Sequence, residues 1–475
     1  MEVKYIKQSD QHNGHIPLSF SEKLRSFLEF RHLLQNELPF PDDVIAWYIK
    51  KGDIKAEKSI VKTQTGWICR RCGQHHHDLF AQFPCENCGK KNCVYCRSCV
   101  MMGRVSECIP LLTWHGKDLS KRPSVEMTWE GRLSVGQEKA AVSVVEAIRK
   151  RKELLIWAVC GSGKTELLFR GIEYALRQGL RLCIATPRTD VVFELAPRLK
   201  KAFKGEEITV LYGGSQDRGK LSPLVVSTTH QLMRYKEAFD VIIIDEVDAF
   251  PYSFDRTLQY ATKKAGRQEC ARIYLTATPS SKMKRHAKKS QLPVVRIPAR
   301  YHRQPLPEPL FKWCGNWRRN LFRGKIPFVV KKWLFQHQNQ NQPVFLFVPS
   351  ILVLESVVSI LQKNQFLVEG VHAYDKNRKG KVKRFREGSF HVLVTTTILE
   401  RGVTVKKAQV GVLGAEAAIF SESALVQMAG RAGRHPCFTN GEVYFFHFGI
   451  TSAMTSAFNH IQHMNTIARK KKWID

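Results

Sequence analysis

"LLIWAVCGSGKT" (154–165) decides how this chain is read. Six apolar residues run into a glycine turn, and the turn ends on a lysine and a threonine. The next stretch, "TELLFRGIEYALRQG" (165–179), has helical character. A buried strand, a tight loop and a helix N-terminus together form a phosphate cradle. Gly161 and Gly163 let the backbone turn sharply, so that the N–H groups of Val159, Cys160, Ser162 and their neighbours face phosphate oxygens. Lys164 is expected to reach the β- and γ-phosphates of ATP, and Thr165 to ligate Mg2+. Ala158 stands where the GxxxxGK[ST] pattern usually opens on glycine.

Downstream, "VIIIDEVDAF" (241–250) drives four apolar residues straight into Asp245 and Glu246. A carboxylate at the end of a buried strand beside a phosphate loop is placed to hold Mg2+, and the next one to activate water. Around these two stretches, short β-branched runs alternate with helical segments: "RLCIAT" (181–186), "LVVST" (224–228) and "RIYLTAT" (272–278). The texture recurs in "PVFLFVPS" (343–350), "FLVEGVHA" (366–373), "FHVLVTTT" (390–397), "VGVLGAE" (410–416) and "GEVYFFHF" (441–448). Repeated βα units with strands apolar on both faces predict parallel sheets covered by helices. The expected organisation is an N-terminal region 1–65, a cysteine-rich module 66–108, a connector 109–133, and two α/β domains, 134–295 and 296–475.

The chain has 475 residues and a formal net charge of +33. That excess excludes an ordinary neutral metabolic enzyme and implies a polyanionic partner, nucleic acid or an anionic membrane surface. The densest basic runs are "SSKMKRHAKKS" (280–290), "KNRKGKVKRFR" (376–386) and "ARKKKW" (468–473). Phosphate contacts by such residues give salt-dependent affinity without sequence reading. Phe311, Trp313 and Trp317 are candidate stacking faces for bases. The start carries no secretory h-region, and no stretch approaches the ~20 apolar residues of a spanning helix. The expectation is a cytoplasmic protein, attached at most peripherally to a membrane.

Eight of the 13 cysteines fall between Cys69 and Cys108. CxxC pairs in a reducing compartment read as ligands of a closed, structural Zn2+ site. The pairing is open from spacing alone. Cys69 and Cys72 join either Cys96 and Cys99, or Cys85 and Cys88, the latter leaving Cys93, Cys96, Cys99 and Cys108 or a histidine for a second ion. His75, His76 and His77 read as a solvated loop. Loss of Cys69 is expected to loosen residues 66–108 and leave the core folded.

With the DEVD box (245–248) the chain resembles superfamily 2 helicases, whose motifs occur here in order. The resemblance implies a fold of two RecA-like parallel-sheet domains preceded by a small zinc-binding module. It also implies that Gln137 in "RLSVGQEKA" (132–140) reads adenine, and that Gly402, in "TTTILERGVTV" (395–405), and Gln427 line the nucleotide site. Arg431 and Arg434 of "QMAGRAGR" (427–434) would reach the γ-phosphate across the interdomain cleft. Arg188, Thr228, Thr229, Thr276, Thr278 and Thr396 would contact or couple to DNA.

The cysteine module before the core, with "YCRSCVMMGRV" (95–105), is similar to the ComFA family of late competence proteins; the primosomal helicase PriA carries its cysteines inside the helicase region. The family's four-cysteine motif corresponds to Cys69, Cys72, Cys96 and Cys99. Cys85 and Cys88 go beyond its shortest form and are further metal candidates. The resemblance implies an ATP-driven single-stranded DNA translocase acting with a membrane DNA-uptake channel and other late competence proteins. The alternatives are a PriA-like helicase of replication restart or repair, and a zinc-containing scaffold with a vestigial ATPase.

Overall fold

The computed structural model describes residues 18–116, 125–220, 222–397, 405–435 and 437–474. The first α/β domain is a seven-stranded sheet. Its strands lie in the order Ile208–Leu211, Leu224–Thr228, Leu182–Thr186, Phe239–Asp245, Gly266–Thr276, Glu153–Ala158, Val294–Ile297, all parallel. The apolar runs form strands because helices bury both faces. All five residues of Leu182–Thr186 and of Leu224–Thr228 are buried. The last strand, Val294–Ile297, straddles the junction expected at 296 and pairs with the strand that feeds the phosphate loop. The first domain therefore runs a few residues further, because an edge strand of four residues carries little pattern of its own.

The second domain is a six-stranded parallel sheet in the order Leu310–Trp313, Val443–His447, Gln409–Leu413, Val344–Phe347, Val392–Thr395, Val368–Val371. The two domains share apolar surface: Trp157 and Val159 of the first pack in one cluster with Leu425, Ala429 and Met464 of the second. The long helix Ser452–Lys470 completes that contact, its His460 ring lying edge-on to Trp157. Of the three aromatic residues expected to stack on bases, Trp317 is 1 % exposed and donates to Glu416 Oε1 (2.6 Å). Phe311 stacks on Phe445, and Trp313 alone of the three is well exposed. The aromatic run mostly builds the edge of the second sheet.

Among the described residues, the N-terminal region contains strands as well as helices. Leu111–Trp114, at the start of the expected connector, is the central strand of an antiparallel sheet with Leu33–Leu34 and Ile54–Glu57. Two further small antiparallel sheets, Ile60–Thr63 with Gly66–Cys69, and Phe80–Phe83 with Cys93–Cys96 and Val105–Ser106, carry the cysteines.

This module is not a separate bead. Cys69, Cys72, Cys96 and Cys99 lie in one apolar cluster with Cys183, Ala185, Ile242 and Ile244 of the first sheet. Lys264, in the helix Arg256–Ala265 after the DEVD box, donates to the carbonyls of Arg71 (2.8 Å) and Met233 (2.7 Å). Glu37 accepts from Arg71 (2.8 Å) and from Arg234 (2.7 Å). The first knuckle is part of the core of the ATP-binding domain, which bears against the expectation that loss of Cys69 leaves that core untouched.

Candidate nucleotide site and zinc knuckles

The strand Glu153–Ala158 ends at the cleft between the sheets, and the loop 159–165 turns there with Gly161 at φ 82° and Gly163 at φ 70°. Gly163 holds a left-handed φ that strains any side chain, and a Cβ there would lie 2.3 Å from Gln137 Nε2 and displace it. Gln137 is the third residue of the helix Val135–Arg149 and closes a capping box with Ser134. Its Nε2 donates to the Gly163 carbonyl (3.0 Å). The residue expected to read adenine here braces the loop.

The cleft has a volume of about 530 Å3 and is lined by Gly161–Thr165, Gln137, Asp245, Glu246, Gln427, Arg431 and Arg434. Ala158, at 0 % exposure, lies just behind it, where a side chain rather than glycine is accommodated. Residues far apart in sequence thus converge on one cleft. Asp245 closes its strand and accepts the N–H of Glu246 on Oδ1 (2.9 Å). Glu246 sits in the left-handed region at φ 58°. A non-glycine residue there costs of order 1–3 kcal/mol, and such strain collects at functional sites. Arg431 is 3 % exposed. Burial and the neighbouring Arg434 push its guanidinium down to about 9, against the pull of Cys160 and Glu246. A polyanion entering this cleft relieves both penalties.

Asp248, the last residue of the box, joins the two domains. Its carboxylate accepts from Thr276 Oγ1 (2.6 Å), Thr278 Oγ1 (2.7 Å), Ser423 Oγ (2.9 Å) and Gln427 Nε2 (2.9 Å). The first two partners belong to the first domain and the others to the helix Glu422–Ala429 of the second. Thr276 and Thr278, expected beside DNA, are 1 % and 5 % exposed, and their hydroxyls serve this network. Thr228 and Thr229 are likewise buried, at 5 % and 0 %, so their side chains are not presented to a strand. Thr396 is half-buried just past the strand Val392–Thr395, and Gly402 lies outside the described residues. Arg188 is half-buried at the start of the helix Thr189–Ala202; Asp190 pairs both with it (3.1 Å) and with Arg378 of the second domain (3.3 Å). Phe250 and Phe254, just after the acidic box, are 75 % and 81 % exposed and were not singled out by the sequence reading.

The eight clustered cysteines resolve into two sets, Cys69–Cys72–Cys96–Cys99 and Cys85–Cys88–Cys93–Cys108, with every Sγ in a set within 4.8 Å of the others. A zinc ion with four Zn–S bonds of ~2.3 Å needs sulfurs ~3.8 Å apart. The sulfurs are 3.8 Å apart for Cys69–Cys99, 3.6 Å for Cys72–Cys96, and 3.7 Å for both Cys85–Cys108 and Cys93–Cys108. Both sets fit the ion. In the first, thiol contacts from Cys72, Cys96 and Cys99 push Cys69 far below the ordinary thiol range, and the same contacts push Cys72 and Cys99 above it. Four thiolates buried this closely would be stable only around a cation. The first set is the pairing of Cys69 and Cys72 with Cys96 and Cys99, and Cys93 and Cys108 join Cys85 and Cys88 rather than Cys96 and Cys99, Cys108 arriving after the strand Val105–Ser106.

Three family models match: the ComFA competence protein N-terminal domain over residues 12–113, the res subunit of type III restriction enzymes over 130–281, and the helicase conserved C-terminal domain over 325–436. Competence protein ComFA of Bacillus subtilis is 57 % identical over 457 residues, spanning 96 % of this chain and 98 % of that one. The chain belongs to the ComFA family of competence proteins. The Streptococcus pneumoniae member is 35 % identical across 78 % of this chain and 85 % of its own length. In fold, the core matches yeast Dbp5 bound to RNA, with a TM-score of 0.51 at 15 % identity over 72 % of this chain and 98 % of that one. Family membership places the chain in competence. Its helicase domains make it an ATP-driven helicase or translocase and imply ATP and Mg2+. Among the described residues, no helix is long and apolar enough to cross a membrane.

Proposed function

We propose that this chain is a motor that draws single-stranded DNA during uptake in competence, gripping the backbone without reading sequence. The observation that carries the proposal is the Asp248 network, in which one carboxylate beside the phosphate loop is shared by two domains. Bound nucleotide orders the acidic box, and the box sets the position of the second domain. A strand lying across both domains is then shifted as the cleft closes and opens. Lys164 and the loop N–H groups bind phosphates, and Arg431 and Arg434 neutralise charge that develops on the γ-phosphate. Thr165 and Asp245 would hold Mg2+, which supplies charge neutralisation at the phosphates. Glu246 orients the attacking water and accepts its proton. Arg188 and the basic helix Arg378–Arg386 supply phosphate contacts, and Phe250 and Phe254 offer stacking faces. The two cysteine sets hold one Zn2+ each, and docking on a membrane channel and other competence proteins would place the motor on the cytoplasmic face.

The test is the ATPase rate of purified protein alone, with single-stranded DNA, and with blunt duplex, at two salt concentrations. Stimulation by the single strand that fades at high salt is expected. Equal rates under all conditions would remove DNA from the cycle.

A further inference from the structure

The chain passes from the first sheet to the second through "PARYHRQ" (298–304), which the motif reading left without a role. Arg300 in this linker is 2 % exposed. Its Nη1 donates to the carbonyls of Ala432 (2.9 Å) and Gly433 (2.7 Å), and its Nη2 to that of Gly430 (3.2 Å). Those carbonyls form the turn that carries Arg431 and leads into Arg434. The next residue, Tyr301, donates its N–H to the carbonyl of Gly161 in the phosphate loop (3.0 Å). One dipeptide thus grips the phosphate loop through its backbone and the arginine turn through its side chain.

The turn has no slack to set its own position. A Cβ on Gly430 would lie 2.6 Å from Cys160 Cβ, and one on Gly433, at φ 58°, would lie 2.1 Å from the Thr439 carbonyl. The turn rests directly on the loop, and the guanidinium fork fills the remaining angle between them. A buried guanidinium on three neutral carbonyls is costly to keep. Burial, reinforced by Arg434, draws Arg300 down to about 10. A purely structural plug at this helix end would not need a third cation beside Arg431 and Arg434.

We propose that Arg300 is a positioning residue for ATP hydrolysis, one that ties the Gly430–Gly433 carbonyls to the linker holding the phosphate loop and so aims Arg431 and Arg434 into the cleft. The inference rests on the reading of those two arginines as γ-phosphate ligands. Its geometry also makes the linker the place where interdomain angle and arginine placement are coupled.

The experiment compares full-length Arg300→Gln, Arg300→Lys, Arg431→Ala and the Arg300→Gln/Arg431→Ala double variant. It reads kcat and KM of the DNA-stimulated ATPase and the affinity for fluorescent ADP. Misaimed arginines lower kcat by about 10- to 100-fold, while KM and ADP affinity stay within about twofold. Arg300→Lys keeps the charge but lacks the fork, and falls in the same direction. The double variant loses less than the product of the two single losses, because part of the Arg300 effect acts through Arg431 and the rest through Arg434. An unchanged kcat in Arg300→Gln overturns the proposal, as does multiplicative loss in the double variant or an equal fall in ADP affinity. Full activity in Arg431→Ala defeats the reading of the motif itself, whereas an inactive Arg431→Ala beside an active Arg300→Gln defeats Arg300 alone. Should Arg300→Gln not fold, Arg300→Lys decides by the same criteria.

Discussion

Replacing Cys69 with serine tests how far the zinc knuckle is part of the motor. The sulfur of Cys69 is buried among three others, and its set packs in the same apolar cluster as strands Leu182–Thr186 and Phe239–Asp245. Structural zinc contributes an apparent ~10–16 kcal/mol to the state that binds it. Most of that is lost with one of four ligands. The knuckle 70–72 then no longer holds Arg71, which is fully buried against Glu37, nor the carbonyl that accepts from Lys264. Breaking a buried charged contact on one side costs about 3–5 kcal/mol. For a domain of this size that lowers Tm by about 6–20 °C. Cys88 belongs to the other set and is only half-buried, so Cys88→Ser is expected to release one zinc and shift the core by roughly 1 kcal/mol or less. The assay pairs zinc content with thermal unfolding followed by the stabilisation that ADP confers, which reports the ATP-binding domain specifically. If Cys69→Ser loses zinc yet the ADP-sensitive transition stays put, the shared-core reasoning is wrong. Equal shifts in both variants would refute the distinction between the sets.

Three further outcomes are expected. Lys164→Ala abolishes ATP hydrolysis and leaves single-stranded DNA binding within about threefold, since Lys164 lines the nucleotide cleft and is not part of the basic helix; parallel loss of both in a filter-binding assay would contradict this. Asp248→Asn keeps the shape but weakens acceptance from Thr276, Thr278, Ser423 and Gln427, hydrogen bonds to a charged group being worth about 1.5–3 kcal/mol each. Basal ATPase should survive while stimulation by DNA falls at least about tenfold, and a variant stimulated as strongly as wild type would speak against interdomain coupling through this carboxylate. His32 is held down to about 3, from 6.5, first by burial and then by Lys264 and Lys236, with Glu57 opposing. A depressed folded value means the unfolded chain takes the proton first, so stability is lost as pH falls from 6.5 towards 3. His32→Gln should flatten that slope in thermal melts between pH 7 and pH 5, and an unchanged slope would assign the acid sensitivity elsewhere.

The nucleotide half of the site was legible because its signals are local. Gly161, Gly163, Lys164 and Thr165 are neighbours in the chain, and Asp245 and Glu246 end a run of apolar residues that can only be a buried strand. Burial on both faces writes strands as continuous apolar text, so the long central strands were read and the four-residue edges at Ile208–Leu211, Val294–Ile297 and Leu310–Trp313 were not. The DNA side was read less well. Threonines placed by motif order at 228, 229, 276 and 278 have buried side chains, because burial depends on what packs over a strand end.

By itself, then, the sequence determined two parallel-sheet α/β domains, a phosphate loop with its acidic partner, a basic chain that needs a polyanion, and a cysteine framework. Each follows from residues adjacent in the chain or repeated with the period of a strand or helix. Only the tertiary structure decided which cysteines cluster together, that the first knuckle lies in the core of the ATP-binding domain, that Asp248 bridges the domains, and that Arg300 holds the arginine turn. These are meetings between segments that a period cannot encode. Sulfurs 15 to 30 residues apart meet only when hairpins align, and a guanidinium finds three carbonyls more than a hundred residues away only once both sheets have packed around it.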